Sequence, residues 1–206
     1  MEIKYIEEPF PYILIDDHYD EEQQNLIWEE LDYITHPLRM ESSNESDNRR
    51  DDSAKDEDTG ETLKNTHVVW LKSLFVQKNQ SNILMNMKVD RDVLTKHRHW
   101  YFNCRTASTY DTQVLYYENG HEYKPHYDST IFTSLTWFYK KPKAFIGGDF
   151  IFPEFDTKVE LKDNRTIIFP GCLLHQVTPV SMKENKSNSL LDSNKMGRYC
   201  ISQFIM

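Results

Sequence analysis

The chain has 206 residues, which suits a single domain over 1–206, and its 13% aromatic content favours strands around a solid core. Its formal net charge of −9 argues against broad nucleic-acid binding, although Lys140, Lys141 and Lys143 leave room for a local basic groove. The N-terminus MEIKYIEE lacks an apolar signal segment and no stretch approaches a membrane span, so we expect a soluble, cytoplasmic protein without a membrane partner.

The first predicted elements are a strand and a capped helix. Residues 11–16 (PYILID) form the strand. The helix begins at Asp20, whose side chain can cap the free backbone N–H groups, while Gln23 completes a capping box. Apolar residues recur on one helix face as far as Ile34, and the stretch ends at Pro37.

Residues 41–66 are polar and contain almost no large apolar side chain, so they contribute little to a core. One interpretation is a solvated, partly disordered loop. The other is a lid beside an active site, because loops of this length in compact domains are often functional. In the second case Arg49 and Arg50 would contact an acidic or carboxylate-bearing substrate.

The remaining chain predicts helical segments and then many strands. Residues 67–75 are apolar, and apolar residues at helical spacing predict a helix over 81–97. From residue 100 the pattern changes to short aromatic and β-branched runs: WYFNCRT, TQVLYY, FTSLTWFY, GDFIF, KVEL, RTIIF, HQVTPV and RYCISQFI. These runs predict a sandwich, barrel or jelly-roll core in 100–206, with helices of the N-terminal region 1–99 buttressing one sheet.

The histidine pattern contains one candidate metal site. His126 and Asp128 are two residues apart, so in a strand their side chains point to the same face. His175 follows RTIIF and a Pro-Gly turn and can return a second imidazole to the same cavity. Two imidazoles and one carboxylate leave three metal positions open, as iron(II) oxygenases require, whereas zinc prefers a closed tetrahedron or one open position. Structural or solvated roles are predicted for the other histidines, which are His18, His36, His67, His97, His99 and His121.

Five segments in order resemble successive strands of the 2-oxoglutarate and iron(II)-dependent dioxygenases, and of their prolyl 4-hydroxylase-like branch in particular. They are YYENGHEYKPHYDST, FTSLTWFYKK, GGDFIFP, IIFPGCLLHQVTPV and GRYCISQF. The resemblance covers residues 100–206 and, more loosely, 8–34. It implies an α+β fold with a double-stranded β-helix (jelly-roll) core buttressed by N-terminal helices, and it makes His126, Asp128 and His175 the catalytic iron ligands.

The same resemblance assigns a co-substrate pocket. Arg198 matches the basic residue of the last strand, which holds the distal carboxylate of 2-oxoglutarate, and its planar fork suits two parallel hydrogen bonds. Tyr117 matches a tyrosine of that pocket, and Ser202 could add a hydrogen bond because it alternates onto the same face as Arg198. Tyr123 is predicted to pack beside the metal strand, and the turn 147–149 provides glycines where the backbone approaches closely.

Two features depart from the family pattern. Arg198 lies 23 residues after His175, a longer spacing than the family shows. We interpret the extra residues as a polar hairpin insertion, which is thermodynamically mild, with Lys183 and Lys186 as the alternatives at shorter spacing. A tyrosine that some members carry on the strand FTSLTWFY is Trp137 or Phe138 here, so one contact to the co-substrate carboxylate differs.

The resemblance implies a hydroxylase that uses iron(II), 2-oxoglutarate and O2, with ascorbate as an additional cofactor to consider. Asp128 favours hydroxylation over halogenation, because the halogenating members lack this carboxylate. The predicted substrate is a peptidyl proline, reached between the 41–66 lid and the site mouth, and a free amino acid or other small molecule is the alternative. A cupin-like protein that binds a metal or ligand without turnover is the alternative of another class. Monomer and homodimer both stay open.

Overall fold

A computed structural model describes residues 1–42, 55–56, 58–86, 89, 91–103, 107, 109–183 and 189–206. The helices are α1 (Glu21–Ile34), α2 (Leu71–Leu74), α3 (Asn82–Asn86) and α4 (Arg91–Thr95). The strands are β1 (Glu2–Ile6), β2 (Tyr12–Asp16), β3 (Glu41–Ser42), β4 (Lys64–Asn65), β5 (His67–Trp70), β6 (Tyr110–Tyr117), β7 (Glu122–His126), β8 (Phe132–Phe138), β9 (Phe145–Gly147), β10 (Phe150–Phe152), β11 (Thr157–Val159), β12 (Arg165–Pro170), β13 (His175–Val177), β14 (Val180–Met182) and β15 (Arg198–Ile205).

The strands form two main antiparallel sheets. The larger has eight strands in the order β1-β2-β12-β8-β15-β6-β5-β3, and the smaller has five in the order β11-β10-β13-β7-β4. Strands β14 and β9 pair separately. Neighbours in space are distant in sequence, as where β15 lies between β6 and β8. This arrangement is the jelly-roll core of the predicted α+β class, so the predicted fold class is confirmed.

Side chains alternate across the larger sheet and bury both of its faces. Leu115 and Cys200 point inward and join a cluster that includes Phe169 from the same sheet and Phe150 from the smaller sheet opposite. The residues beside them in sequence, such as Ile201, point outward and pack in the cluster that α1 covers. Because both faces are covered, the strands are continuous apolar or neutral runs, and every residue of β8 is buried.

Helix α1 forms as its sequence predicts. The Asp20 carboxylate accepts a hydrogen bond from the Gln23 backbone at 2.9 Å, and the Gln23 side chain accepts one from the Asp20 backbone at 3.1 Å. This capping box satisfies two N–H groups that the first turn leaves unpaired. Ile27, Leu31 and Ile34 are buried against the outer face of the larger sheet, so the predicted buttress is present.

Three local predictions were wrong. The helix predicted over 81–97 is interrupted, because α3 ends at Asn86 and Val89 is not helical. The two short helices pack in different places, α3 through Ile83 beside α1 and α4 through Leu94 in a separate cluster with Phe102. The predicted strand WYFNCRT contains a 3-10 turn at Trp100–Asn103, where Phe102 stacks on His97 with ring centroids 4.3 Å apart.

The third wrong prediction is that the polar segment 41–66 contributes little to the core, because both of its ends form strands of the two sheets. Strand β3 pairs with β5 in the larger sheet, and β4 pairs with β7 in the smaller one. Lys64 and Thr66 are buried despite their polarity. Arg49 and Arg50 lie outside the described residues, so the lid interpretation stays a prediction.

The division into regions 1–99 and 100–206 also stays a prediction. Strands from both parts pair in the larger sheet, where β2 lies beside β12 and β5 beside β6. None of the helices in the described ranges is long and apolar enough to cross a membrane.

Candidate functional site

The two histidines predicted as metal ligands meet across a pair of antiparallel strands. His126 ends β7 and His175 begins β13, and the two residues are direct cross-strand partners. Asp128 follows β7 in a loop rather than lying within the strand, and its backbone N–H donates to the Gly171 carbonyl at 2.9 Å. A carboxylate oxygen lies 3.9 Å from His126 Nε2 and 3.5 Å from His175 Nε2. Three potential ligand atoms therefore converge, all within 4.8 Å of one another.

Backbone carbonyls contact Nδ1 of both imidazoles and orient the rings. His126 Nδ1 lies 2.8 Å from the Lys124 carbonyl, and His175 Nδ1 lies 2.8 Å from the Leu173 carbonyl. A carbonyl oxygen only accepts hydrogen bonds, so each Nδ1 must carry the proton. Each Nε2 then presents its lone pair to the point where the Asp128 carboxylate also lies, and such outer contacts typically fix the tautomer of ligating histidines.

The Asp128 carboxylate is prepared as an anion. Thr133 donates its hydroxyl to Asp128 Oδ2 at 2.5 Å, and the Thr130 hydroxyl lies 3.0 Å from that of Thr133. Burial opposes ionisation, but the nearby His175 and His126 and the hydroxyl of Thr133 together lower the pKa of Asp128 below its ordinary value. A negatively charged oxygen ligand is therefore available at neutral pH.

The surroundings of the histidines are apolar. The Tyr123 ring stacks on His126 with centroids 3.4 Å apart, and Phe169 packs against His175 at 4.8 Å. Burial lowers the pKa of His126 to about 3, and the positive charges of His175 and Lys64 act in the same direction. The imidazole of His126 is therefore neutral, which is the form that binds a metal ion.

The triad opens into a cavity between the two sheets. Alternate residues of the last strand, β15, line one wall, namely Arg198, Cys200, Ser202 and Phe204. Tyr117 and Tyr123 also line the cavity. The three residues that the resemblance assigns to the co-substrate pocket, Arg198, Tyr117 and Ser202, therefore lie in the same cavity as Tyr123. The cavity thus extends from the triad to Arg198.

Arg198 is the most unusual side chain of this cavity. It is completely buried, and its three guanidinium nitrogens have no hydrogen-bond partner in the part of the chain that the structure describes. The guanidinium carbon lies 4.7 Å from the Tyr117 ring centroid and 5.9 Å from that of Trp137. A buried cation without a hydrogen-bonded partner is costly, which indicates a place for an anion.

Gly148 makes room for that guanidinium. Its φ of +65° favours glycine, and a Cβ added there would lie 2.9 Å from Arg198 Cδ. Gly147 has a φ of +69°, and a Cβ there would meet the Pro179 carbonyl oxygen at 2.1 Å. The backbone thus approaches Arg198 closely at Gly148, and close backbone approach is the kind of feature predicted for 147–149.

The donor set fits an iron(II) ion and a dicarboxylate. Two neutral imidazoles and a carboxylate on one side of a metal match the facial arrangement of iron oxygenases. The guanidinium of Arg198 could hold the far carboxylate of 2-oxoglutarate by two hydrogen bonds. Ser202 lines the same wall, and its hydroxyl lies 3.8 Å from Cys200 Sγ.

Two further positions concern the departures from the family pattern: the lysines that are alternatives to Arg198, and the strand position where some members of the family carry a tyrosine. Lys183 is exposed and its ammonium donates to the Lys143 carbonyl at 3.3 Å, whereas Lys186 lies outside the described residues. Trp137 faces the cavity side and Phe138 packs on the outer face of the sheet. Trp137 therefore occupies the inward position on this strand, and its Nε1 is a further buried donor without a described partner.

A second cluster escaped the sequence analysis, because His67 is distant in sequence from the other two members. His67, Glu118 and His121 place one ligand atom each within 4.8 Å of one another. However, His121 Nδ1 accepts a hydrogen bond from the Glu118 backbone at 3.1 Å, so its lone pair is already engaged. The Glu118 carboxylate lies 3.0 Å from His67 Nε2 and accepts from the Leu190 backbone at 2.6 Å. These contacts indicate a structural cluster that ties the segment around Leu190 to the core.

Comparisons with known proteins agree with this geometry. The family described as the 2OG-Fe(II) oxygenase superfamily matches residues 112–205. An oxidoreductase of the 2OG-Fe(II) oxygenase family from Burkholderia pseudomallei has a similar fold (TM-score 0.56, 12% identity, 94% of this chain and 84% of that chain). So do a prolyl-4-hydroxylase from Pseudomonas putida (0.53, 10%, 94% and 91%) and IDO from Bacillus thuringiensis (0.53, 14%, 95% and 90%).

No curated protein sequence matches the chain significantly. The solved structures, at such low identity, show the fold alone. The family match spans the triad and Arg198, and the family uses iron(II), 2-oxoglutarate and O2. Residues 112–205 therefore match a 2OG-Fe(II) oxygenase domain, and this match supports a 2-oxoglutarate-dependent dioxygenase.

Proposed function

We propose that this dioxygenase is a hydroxylase of the prolyl 4-hydroxylase-like branch and that its substrate is a peptidyl proline. The observation that carries hydroxylation is the Asp128 carboxylate, which lies 3.5 Å from His175 Nε2 and completes a three-residue ligand set. With iron(II) bound, O2 and 2-oxoglutarate supply the oxidising chemistry: one oxygen atom enters a substrate C–H bond to give C–OH, the other enters succinate, and CO2 leaves.

The residues of the chain would hold and orient the reactants. His126, Asp128 and His175 would bind iron on one side and leave the positions that face the cavity for the co-substrate and O2. Arg198 would bind the distal carboxylate of 2-oxoglutarate, which directs the keto acid end toward the metal. Tyr117 is almost fully buried beside Arg198 and would keep water from this end.

An aromatic wall supports proline as the target. Phe204 lines the cavity and contacts Trp70 with ring centroids 5.6 Å apart. Tyr127, between the two ligands of the H-x-D sequence, is 58% exposed. Aromatic rings offer flat apolar surfaces on which a pyrrolidine ring can pack. The similar fold of a prolyl-4-hydroxylase adds to this support.

The experiment is turnover with defined substrates. Purified protein with iron(II), 2-oxoglutarate and O2 is incubated with proline-containing peptides and, separately, with free amino acids. We expect succinate release that rises with a peptide and a mass increase of one oxygen atom on a prolyl residue. The matched control is Asp128→Ala. Succinate release no higher than in that variant would refute the hydroxylase and favour a cupin-like binding protein, and oxidation of a free amino acid alone would refute the peptide.

A further inference from the structure

The two oxygens of the Asp128 carboxylate have different surroundings. Oδ2 accepts a hydrogen bond from the Thr133 hydroxyl at 2.5 Å, a short distance that is typical of a hydroxyl donating to a carboxylate. Oδ1 lies 3.9 Å from His126 Nε2 and has no hydrogen-bond donor in the part of the chain that the structure describes. His175 Nε2 lies 3.5 Å from Oδ2, but its proton is on Nδ1, so this nitrogen does not donate. The protein therefore engages one oxygen and leaves the other free.

The hydroxyl of Thr133 is itself held in place. It has one proton, which it gives to Asp128, so the Thr130 hydroxyl at 3.0 Å must donate to Thr133 Oγ1. Thr133 is fully buried on β8 and alternates onto the same face as Leu135, which lines the cavity. Groups that hydrogen-bond a ligating carboxylate orient it for the metal. Thr130 and Thr133 together thus fix one oxygen of Asp128.

Gly171 fixes the backbone of the same loop. Its carbonyl accepts from the Asp128 backbone N–H at 2.9 Å, and its own N–H donates to the Ile131 carbonyl at 3.3 Å. A Cβ at Gly171 would lie 2.9 Å from the Asp128 carbonyl oxygen, so no side chain fits between the loop and the turn after β12. Rotation of the Asp128 side chain then decides which oxygen reaches the metal, and the hydrogen bond from Thr133 opposes that rotation.

The number of oxygens that Asp128 offers determines how many metal positions remain for the reactants. Two imidazoles and one oxygen leave three positions of an octahedral ion, of which 2-oxoglutarate takes two and O2 needs the last. A carboxylate that bound through both oxygens would fill that last position. We propose that Thr133 is a positioning residue that keeps Oδ2 from the metal, so that Asp128 binds through Oδ1 alone and one position stays open. This inference rests on the metal site of the proposed function and not on the identity of the substrate.

Manganese(II) in place of iron(II) reports the open position without turnover, because carboxylate and water ligands suit this ion. A water molecule bound to Mn(II) speeds the magnetic relaxation of solvent protons, and a ligand that displaces the water removes this contribution. The relaxation is measured per bound ion, with protein in excess over metal and 2-oxoglutarate at saturation. The wild-type complex should keep the contribution of one bound water. Thr133→Val, which has the same shape without the hydroxyl, should lose it.

Three further variants separate the hydroxyl from packing and folding. Thr133→Ser keeps the donor and should keep the bound water. Thr133→Ala should lose it, so that the result does not depend on the folding of Thr133→Val alone. The matched control is Thr136→Val, which removes a buried hydroxyl from the opposite face of β8, where its partner is Thr166 at 2.7 Å. This control should behave like wild type.

Each outcome decides the inference. A bound water that survives in Thr133→Val or Thr133→Ala overturns it, as does a loss in Thr133→Ser or Thr136→Val. A wild-type complex that already lacks the bound water also overturns it, because no position is then held open. Loss confined to the variants without the Thr133 hydroxyl supports the inference even if no prolyl peptide is hydroxylated. In that case the positioning role of Thr133 stands and the prolyl hydroxylase proposal fails.

Discussion

Replacing Arg198 by Met tests the co-substrate pocket most directly. The wild-type guanidinium is fully buried and has no hydrogen-bond partner among the described residues, so the protein without ligand carries the cost of a desolvated charge. Met has a similar length and no charge. We therefore expect Arg198→Met to be at least as stable as wild type without 2-oxoglutarate, and to bind 2-oxoglutarate at least about 30-fold more weakly, the effect of losing ~2 kcal/mol or more.

The expected size of the thermal shift follows from linkage. At a 2-oxoglutarate concentration about 100 times its Kd, wild type gains about 2.7 kcal/mol. For a chain of this size each kcal/mol raises Tm by about 2–4 °C, so the wild-type shift is about 5–10 °C. At the same concentration a variant with about 30-fold weaker binding gains only about 0.9 kcal/mol, which corresponds to a shift of about 2–4 °C.

The assay is differential scanning fluorimetry with iron(II) under anaerobic conditions, with and without 2-oxoglutarate. Lys183→Met is the matched control, because Lys183 is exposed and an exposed charge contributes little. Its ligand-induced shift should equal that of wild type. A full shift in Arg198→Met, or a lost shift in Lys183→Met, would refute the assignment of the anchor. A large loss of stability in ligand-free Arg198→Met would refute the argument from the buried charge.

Three further predictions concern the metal site, the Gly-Gly turn and the first helix. Asp128→Ala should weaken iron(II) binding at least about 10-fold, since even outer-shell changes cost that much, whereas His121→Ala should leave it nearly unchanged; titration of anaerobic protein with iron(II) measures both. Gly148→Ala should weaken 2-oxoglutarate binding, because φ is +65° and the new Cβ would lie 2.9 Å from Arg198 Cδ; calorimetry measures this. Asp20→Ala should cost about 1 kcal/mol of stability by removing the helix cap, with a Tm lower by about 2–4 °C and unchanged 2-oxoglutarate affinity.

Each of these predictions has an outcome that contradicts it. Equal losses of iron affinity in Asp128→Ala and His121→Ala would mean that the wrong cluster was chosen. Unchanged 2-oxoglutarate affinity in Gly148→Ala would show that the turn tolerates a side chain and does not position Arg198. A normal Tm in Asp20→Ala would mean that water replaces the cap without cost.

Local sequence signals predicted the elements whose structure depends on neighbours along the chain. The capping box at Asp20 and Gln23 marks the start of α1, because both partners lie within one turn. Continuous apolar runs predicted β8 and β12, since the larger sheet is covered on both faces. The family resemblance supplied the roles of the metal and co-substrate residues, and those roles stay predictions that the experiments above can test.

Only the tertiary structure decided which distant residues meet. It interrupts the helix predicted over 81–97, because α3 and α4 pack in different clusters. It brings Lys64, from the end of a polar segment, to within 3.2 Å of Gln113, and it leaves Arg198 buried beside Trp137. No local pattern encodes such contacts, because burial of a polar side chain depends on what the rest of the chain places around it. Local propensity is a weak guide wherever packing between distant segments determines the environment.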